Sequence, residues 1–136
     1  MSLLVDTSVW SLALRRDHPG QVPEVDALKS ALQAGESVLT TGLVLQEILQ
    51  GFSGPRDRAR IIDRFSSLAL LTPDRVDHIA AAEIRNRCRR AGVQVGTIDA
   101  LLAQLCIRYD LVLLSTDKDF VRVAANTSLR LWTAAN

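Results

Sequence analysis

The sequence is short of the residues that most often announce a staple or a soft-metal site. Only two cysteines occur, Cys88 and Cys106, with no CxxC or Cys/His spacing, so neither a disulfide scaffold nor a zinc site is indicated. Both fall in helix-like, apolar-periodic segments and read as reduced, buried thiols. The two histidines, His18 in a turn and His78 early in a helix, read as surface residues. No apolar run approaches the ~20 residues of a membrane span. Leu3-Leu4-Val5 is too short for the core of a signal peptide and no basic residue precedes it. These absences predict a soluble, cytoplasmic protein. Proline and glycine are few, four and seven, while 48% of the residues are hydrophobic, which is a globular rather than a disordered composition. A length of 136 residues suits one domain, predicted over 1–136.

Charge excludes little. The formal net charge is +1, so no global basic field points to nucleic acid. Lysine is limited to Lys29 and Lys118, whereas arginine occurs fourteen times. Arginine's planar fork suits phosphate better than lysine does, but biased codon usage explains the same preference.

Turn signals are short: His18-Pro19-Gly20 to Pro23, Ser53-Gly54-Pro55, and Gly92 to Gly96. Between them strand and helix periods alternate. Strands are predicted at Leu3–Val5, Ser37–Thr40, Leu68–Leu71, Leu111–Leu114 and, as an edge, Leu129–Leu131. Helices are predicted from Ser8, from Pro23 to about Ala34, over Gly42–Gln50, over about Arg56–Ser67, after an Asp74 cap, and after a Thr97 cap. The last carries Ile98, Leu101, Leu102, Leu105, Cys106 and Tyr109 on one stripe. Trp10 and Tyr109 therefore read as core rather than as platforms for stacked bases. Alternating strands and helices predict an α/β fold, a central and mostly parallel sheet flanked by helices on both faces.

In such sheets sites lie beyond the carboxyl ends of the strands, and acids recur there. Asp6 follows the first strand directly, and Asp117 follows Leu111–Leu114 after only Ser115 and Thr116. Asp99 lies in the first turn of its helix. Glu47 sits among Leu45, Ile48 and Leu49, where a carboxylate is unfavourable unless something charged meets it. Singly, each has an ordinary reading: Asp6 as a cap, Asp99 as a dipole partner, Asp117 and Asp119 as turn residues, Glu47 as a solvated helix residue. Together they make a demand. Two carboxylates ~5 Å apart at an effective dielectric near ~20 repel by about 3 kcal/mol. Four cannot all stay ionised without cations or raised pKa values. An all-oxygen set favours Mg²⁺ or Mn²⁺ over zinc, and such a site suits in-line attack on a phosphodiester.

Four segments carry a resemblance. They are Leu4-Val5-Asp6-Thr7-Ser8-Val9-Trp10, Leu45-Gln46-Glu47-Ile48-Leu49-Gln50-Gly51, Arg90-Ala91-Gly92 through Thr97-Ile98-Asp99-Ala100-Leu101, and Leu114-Ser115-Thr116-Asp117-Lys118-Asp119-Phe120. In this order the chain resembles the PIN-domain ribonucleases of the VapC toxin type, from type II toxin–antitoxin pairs. The resemblance implies a PIN-like three-layer sandwich, Mg²⁺ or Mn²⁺ dependence, an RNA substrate, a homodimer and a cognate VapB-like antitoxin. It assigns metal binding and catalysis to Asp6, Glu47, Asp99 and Asp117, and an auxiliary metal role to Asp119, which reads equally as a turn residue. Thr7 or Ser8, and Thr116, would hydrogen-bond bound waters. Arg85, Arg89 and Arg90 are candidate RNA contacts, although a charge run on a helix is as readily a solvated face. Arg56, Arg60 and Arg64 read as that kind of face, with Asp57 and Asp63 available to pair.

Three rival readings share part of this pattern. Haloacid-dehalogenase chemistry wants a second aspartate two places after the first, where Ser8 stands. A receiver domain wants an acidic pair after the first strand, where only Asp6 stands. The third, a catalytically inactive PIN-like module that binds RNA or protein, is disfavoured by the intact acids.

Overall fold

The computed structural model describes residues 1–15 and 22–134, and the turn expected around His18 lies outside them. The elements in chain order are β1 (Leu3–Val5), α1 (Thr7–Leu14), α2 (Pro23–Gln33), β2 (Val38–Thr41), α3 (Gly42–Gly51) and α4 (Pro55–Phe65). There follow β3 (Ala69–Leu71), α5 (Arg75–Arg90), α6 (Thr97–Arg108), β4 (Val112–Leu114), α7 (Asp119–Asn126) and β5 (Arg130–Leu131). The α/β expectation holds, and every strand pair described is parallel.

The sheet runs β3-β2-β1-β4-β5. Its middle strands are apolar on both faces, as strands covered by helices must be: β1 (Leu-Leu-Val) and β4 (Val-Leu-Leu) are buried throughout. The edge strand β3 is largely exposed. From β1 the chain steps one way to β2 and β3, then crosses back past β1 to β4 and β5. Right-handed crossovers therefore place α1–α4 on one face and α5–α7 on the other, matching the packing of α1 on α2 and α3, of α3 on α4, and of α5 on α6 and α7. Trp10 of α1, 1% exposed, meets Phe65 of α4 with ring centroids 4.7 Å apart. Such a pair adds about 0.5–1.5 kcal/mol beyond the area it buries.

Local chemistry sets the helix ends. The Thr41 hydroxyl accepts from the Val44 N–H at the start of α3, and Pro23 and Pro55 open α2 and α4 at the first turn. Asp74 and Asp77 form a reciprocal capping box on α5. Gly35 and Gly92, at φ 69° and 80°, turn the chain out of α2 and α5 in the left-handed region.

Four expectations need correction. The cap of α6 is Gly96 rather than Thr97, and α1 begins at Thr7 with Asp6 as its cap rather than at Ser8. Tyr109 is no core residue: it ends α6, is 41% exposed, and lies under the Arg108 guanidinium, 5.0 Å from the ring centre. Helix α7 was not anticipated. Cys88 and Cys106 are free and buried as expected, and the Cys106 thiol is pushed up to about 12 by burial. Among the described residues no helix is long and apolar enough to cross a membrane.

Candidate active site

The sheet order puts β1 between β2 and β4, the place where the chain reverses its direction of winding. Asp6 leaves the end of β1 at that switch point and Ser115 leaves the end of β4 beside it. Asp6 is buried, 7% exposed. Its Oδ2 accepts two hydroxyl hydrogen bonds, from Ser8 at 2.9 Å and from Ser115 at 2.8 Å, while Oδ1 has no protein partner among the described residues. The same serines tie the strand ends together: the Thr116 N–H donates to the Ser8 hydroxyl at 3.1 Å, and the Asp117 N–H donates to the Ser115 hydroxyl at 3.0 Å. One aspartate oxygen is thereby fixed by protein, and the other is left to meet a ligand.

Glu47 comes from α3, on the neighbouring strand's side. It is half-buried, and the Thr7 hydroxyl donates to its Oε1 at 2.9 Å across 40 residues of sequence. The partner demanded by its leucine-rich setting is thus a hydroxyl, and among the described residues no cation pairs with it. Asp117 and Asp119 are exposed. The Asp119 N–H donates to Asp117 Oδ1 at 2.9 Å and starts α7, so the turn role and proximity to the site coexist.

Asp99 gives the electrostatic centre. It is half-buried in the first turn of α6, and its carboxyl is pushed up to about 6, first by loss of solvent and then by the charges of Asp6, Asp117, Glu47 and Asp119. The other four acids singled out in the sequence therefore all act on Asp99. Among the described residues no three of them are already gathered as a closed metal cage. The two observations agree physically: uncompensated carboxylates hold one another apart, and a cation that keeps several waters needs only one or two of them directly. The donor set, oxygen alone with an excess of negative charge, fits Mg²⁺ or Mn²⁺.

The hydroxyls were assigned incompletely by sequence. Thr7 and Ser8 each donate to a carboxylate, and Thr116 donates through its backbone N–H to Ser8. Ser115 was missed, although a hydroxyl directly after a buried strand and two residues before an aspartate was the available signal. Of the arginines, Arg85 donates through Nε to the Val95 carbonyl at 2.7 Å. Arg85 and Arg89 share a polar pocket with Asp119, which Arg90 does not line. In the other run Arg60 pairs with Asp57 at 3.2 Å and donates to the Leu14 carbonyl at 3.0 Å, which ties α4 to the end of α1. His78 is exposed, as expected.

The family model for the PIN domain matches residues 3–126, nearly the whole described chain. The chain belongs to the PIN-domain family. Within it, the chain is 30% identical over 132 residues to the VapC ribonuclease Mb1587 of Mycobacterium bovis, covering 94% of this chain and 96% of that relative. Among solved structures, this PIN fold is similar to VapBC2 from Rickettsia felis bound to a DNA fragment from their promoter, with a TM-score of 0.76 at 16% identity over 97% of this chain and 98% of that one. It is also similar to VapC20 of Mycobacterium tuberculosis, a toxin cleaving the sarcin–ricin loop, with a TM-score of 0.67 at 18% identity over 95% and 99% of the two chains.

Proposed function

We propose that this PIN domain is a VapC-type toxin, an endoribonuclease that hydrolyses RNA phosphodiester bonds with Mg²⁺ or Mn²⁺. It works in the cytoplasm as a homodimer and is neutralised by a cognate VapB-like antitoxin. The observation that carries the reading is the half-buried Asp99 carboxyl, raised by burial and by the charges of four further acids. The VapC names of its relatives agree with it.

Asp6, Glu47, Asp99 and Asp117 are the residues that would hold the ion, with Asp119 beside them. When bound, the ion supplies an acidified water and offsets charge growing on the phosphoryl oxygens. The chain does the positioning. Ser8 and Ser115 orient Asp6 through one oxygen and Thr7 orients Glu47, while a bound cation would favour the ionised form of Asp99. Arg85, Arg89 and Arg90 are the proposed RNA contacts. The intact acid set stands against an inactive binding module.

The test is a map of new 5′-phosphate ends in total RNA after induction of the wild type and of Asp6→Asn. Discrete ends are expected with the wild type alone, and identical maps from the two proteins would defeat the proposal. A second expectation concerns the hydroxyl clamp. Ser115→Ala should lower Mg²⁺ affinity or cleavage about 10–100-fold, the usual cost of losing a group that orients a ligand, for about 1 kcal/mol of stability. Cleavage and thermal shift measured across a Mg²⁺ titration read both; an unchanged Mg²⁺ midpoint with unchanged rate would remove Ser115 from the site.

A further inference from the structure

We propose that the polar pocket between the last turns of α5 and the 93–96 loop seats one phosphodiester of single-stranded RNA next to the bond being cut, held by Arg85 and Arg89. The proposal rests on the ribonuclease reading and adds a substrate subsite to it. The pocket has a volume of about 600 Å³ and its polar lining includes Arg85, Arg89, Gln94, Gly96 and Asp119.

Arg85 is pre-oriented. Its Nε is consumed by the Val95 carbonyl at 2.7 Å, which sets the plane of the guanidinium. Neither terminal nitrogen has a hydrogen bond or ion pair among the described residues. That pair of nitrogens is the edge that grips two oxygens of a phosphate. Arg89 lies one turn further along α5 and lines the same pocket, again without an ion-pair partner among the described residues. Two like charges four residues apart on a helix destabilise it by a few tenths of a kcal/mol, a cost that an anion between them reverses. The anion is not Asp119: it lines the pocket but forms no ion pair with either arginine.

Gly96 instead sets the location: it lines the pocket, and a Cβ on it would lie 3.8 Å from Asp99 Oδ2. The pocket therefore opens beside the acids that would do the cutting. A polyanion laid across this rim meets arginines on one side and the cation-holding carboxylates on the other. Phosphate groups fit that sequence of charges, since the arginines can take one phosphate while the next stands among the acids. An acidic peptide could meet both places with carboxylates, but it offers no phosphodiester for the acids to cut.

The experiment measures binding of a short single-stranded RNA of randomised sequence in the Asp6→Asn background, which keeps the strand whole, as a function of salt. Losing one phosphate contact lowers the slope of log K against log salt by about 0.7 for single strands. Arg89→Gln should show that loss, Arg89→Lys should restore most of it, and Arg75→Gln, at the opposite end of α5, should leave the slope alone. In the cleaving protein Arg89→Gln should raise KM several-fold with kcat little changed. An unchanged slope in Arg89→Gln, or equal losses in Arg89→Gln and Arg75→Gln, overturns the subsite even while the wild type cuts RNA. A polyglutamate peptide that binds the wild type and loses affinity in Arg89→Gln, with the RNA slope intact, would assign the pocket to an acidic protein and also overturn it. The binding slope does not depend on cleavage, so a wild type that fails to cut RNA would defeat the ribonuclease reading separately.

Discussion

Replacing Asp99 by Asn should abolish RNA cleavage and, at the same time, stabilise the metal-free protein. Loss of activity follows from its central place: four acids act on it, and removing one member of a group that works as a unit costs about a thousandfold or more. The gain in stability follows from the same arrangement. The Asp99 carboxyl stands at about 6 when folded, against an ordinary value of 3.8, so the folded chain binds the proton more tightly than the unfolded one. Stability contributed by this group is therefore greatest in acid and declines as pH rises from 3.8 to about 6. A shift of this size corresponds to about 3 kcal/mol in a dry site. Because the group is only half-buried, solvent screening reduces that to about 1–2 kcal/mol. Thermal melts in EDTA across this pH range should show the decline in the wild type and a flatter profile in Asp99→Asn. Added Mg²⁺ should stabilise the wild type at pH 7 far more than the variant, because ion and proton compete for the same oxygens. Parallel pH profiles in EDTA would show that neither burial nor the neighbouring charges raise the Asp99 carboxyl in the folded chain.

The largest loss of stability should come from a different aspartate. Asp77 is completely buried in the first turn of α5. Its Oδ2 meets Arg108 of α6 at 2.7 Å, its Oδ1 accepts from Gln104 at 3.4 Å, and its carboxylate closes the capping box through the Asp74 N–H at 3.0 Å. Arg108 also reaches Asp74 at 3.1 Å. One carboxylate thus caps a helix and clamps that helix to its neighbour. Asp77→Ala leaves a cavity, an open helix end and unmatched donors, and should cost about 3 kcal/mol, or roughly 10 °C in Tm. Asp77→Asn keeps the shape and should cost about half as much. Urea melts of both variants decide it: a loss under about 0.5 kcal/mol for Asp77→Ala would place the α5–α6 junction elsewhere. Cleavage by the folded fraction should change little, since Asp77 belongs to the helix junction and not to the acids at the sheet's edge.

That aspartate marks the boundary of what the sequence makes legible. Asp6 and Asp117 could be placed because each follows a short, wholly apolar run, and a buried parallel strand delivers whatever comes next to the sheet's carboxyl edge. Asp77 carries no such signal. It sits three residues beyond the cap Asp74, and its partners on α6 come from about thirty positions along the chain, so only the packing of α5 on α6 shows that it is buried. Ser115 was masked by its neighbour: two adjacent hydroxyls follow β4, and only the direction of the strand end decides that Ser115 turns to Asp6 while Thr116 offers its backbone. Helix α7 is eight residues long, and its Phe120 and Val123 make too short a stripe to separate from a turn. Tyr109 was misplaced because helical spacing carries on past the point where the backbone leaves the helix.

The hydrogen bond between Ser115 and Asp6 spans 109 positions of sequence, and this distance is also a delay. Translation at about 5–20 residues per second puts roughly 5 to 20 s between the emergence of β1 and that of its neighbour β4. Until then β1 has only β2 beside it, Asp6 lacks one of its two hydroxyls, and Asp117 does not yet exist. The acids meet only after β4 has been made. A chain that stops before β4 therefore lacks both Asp117 and the Ser115 hydroxyl that helps hold Asp6.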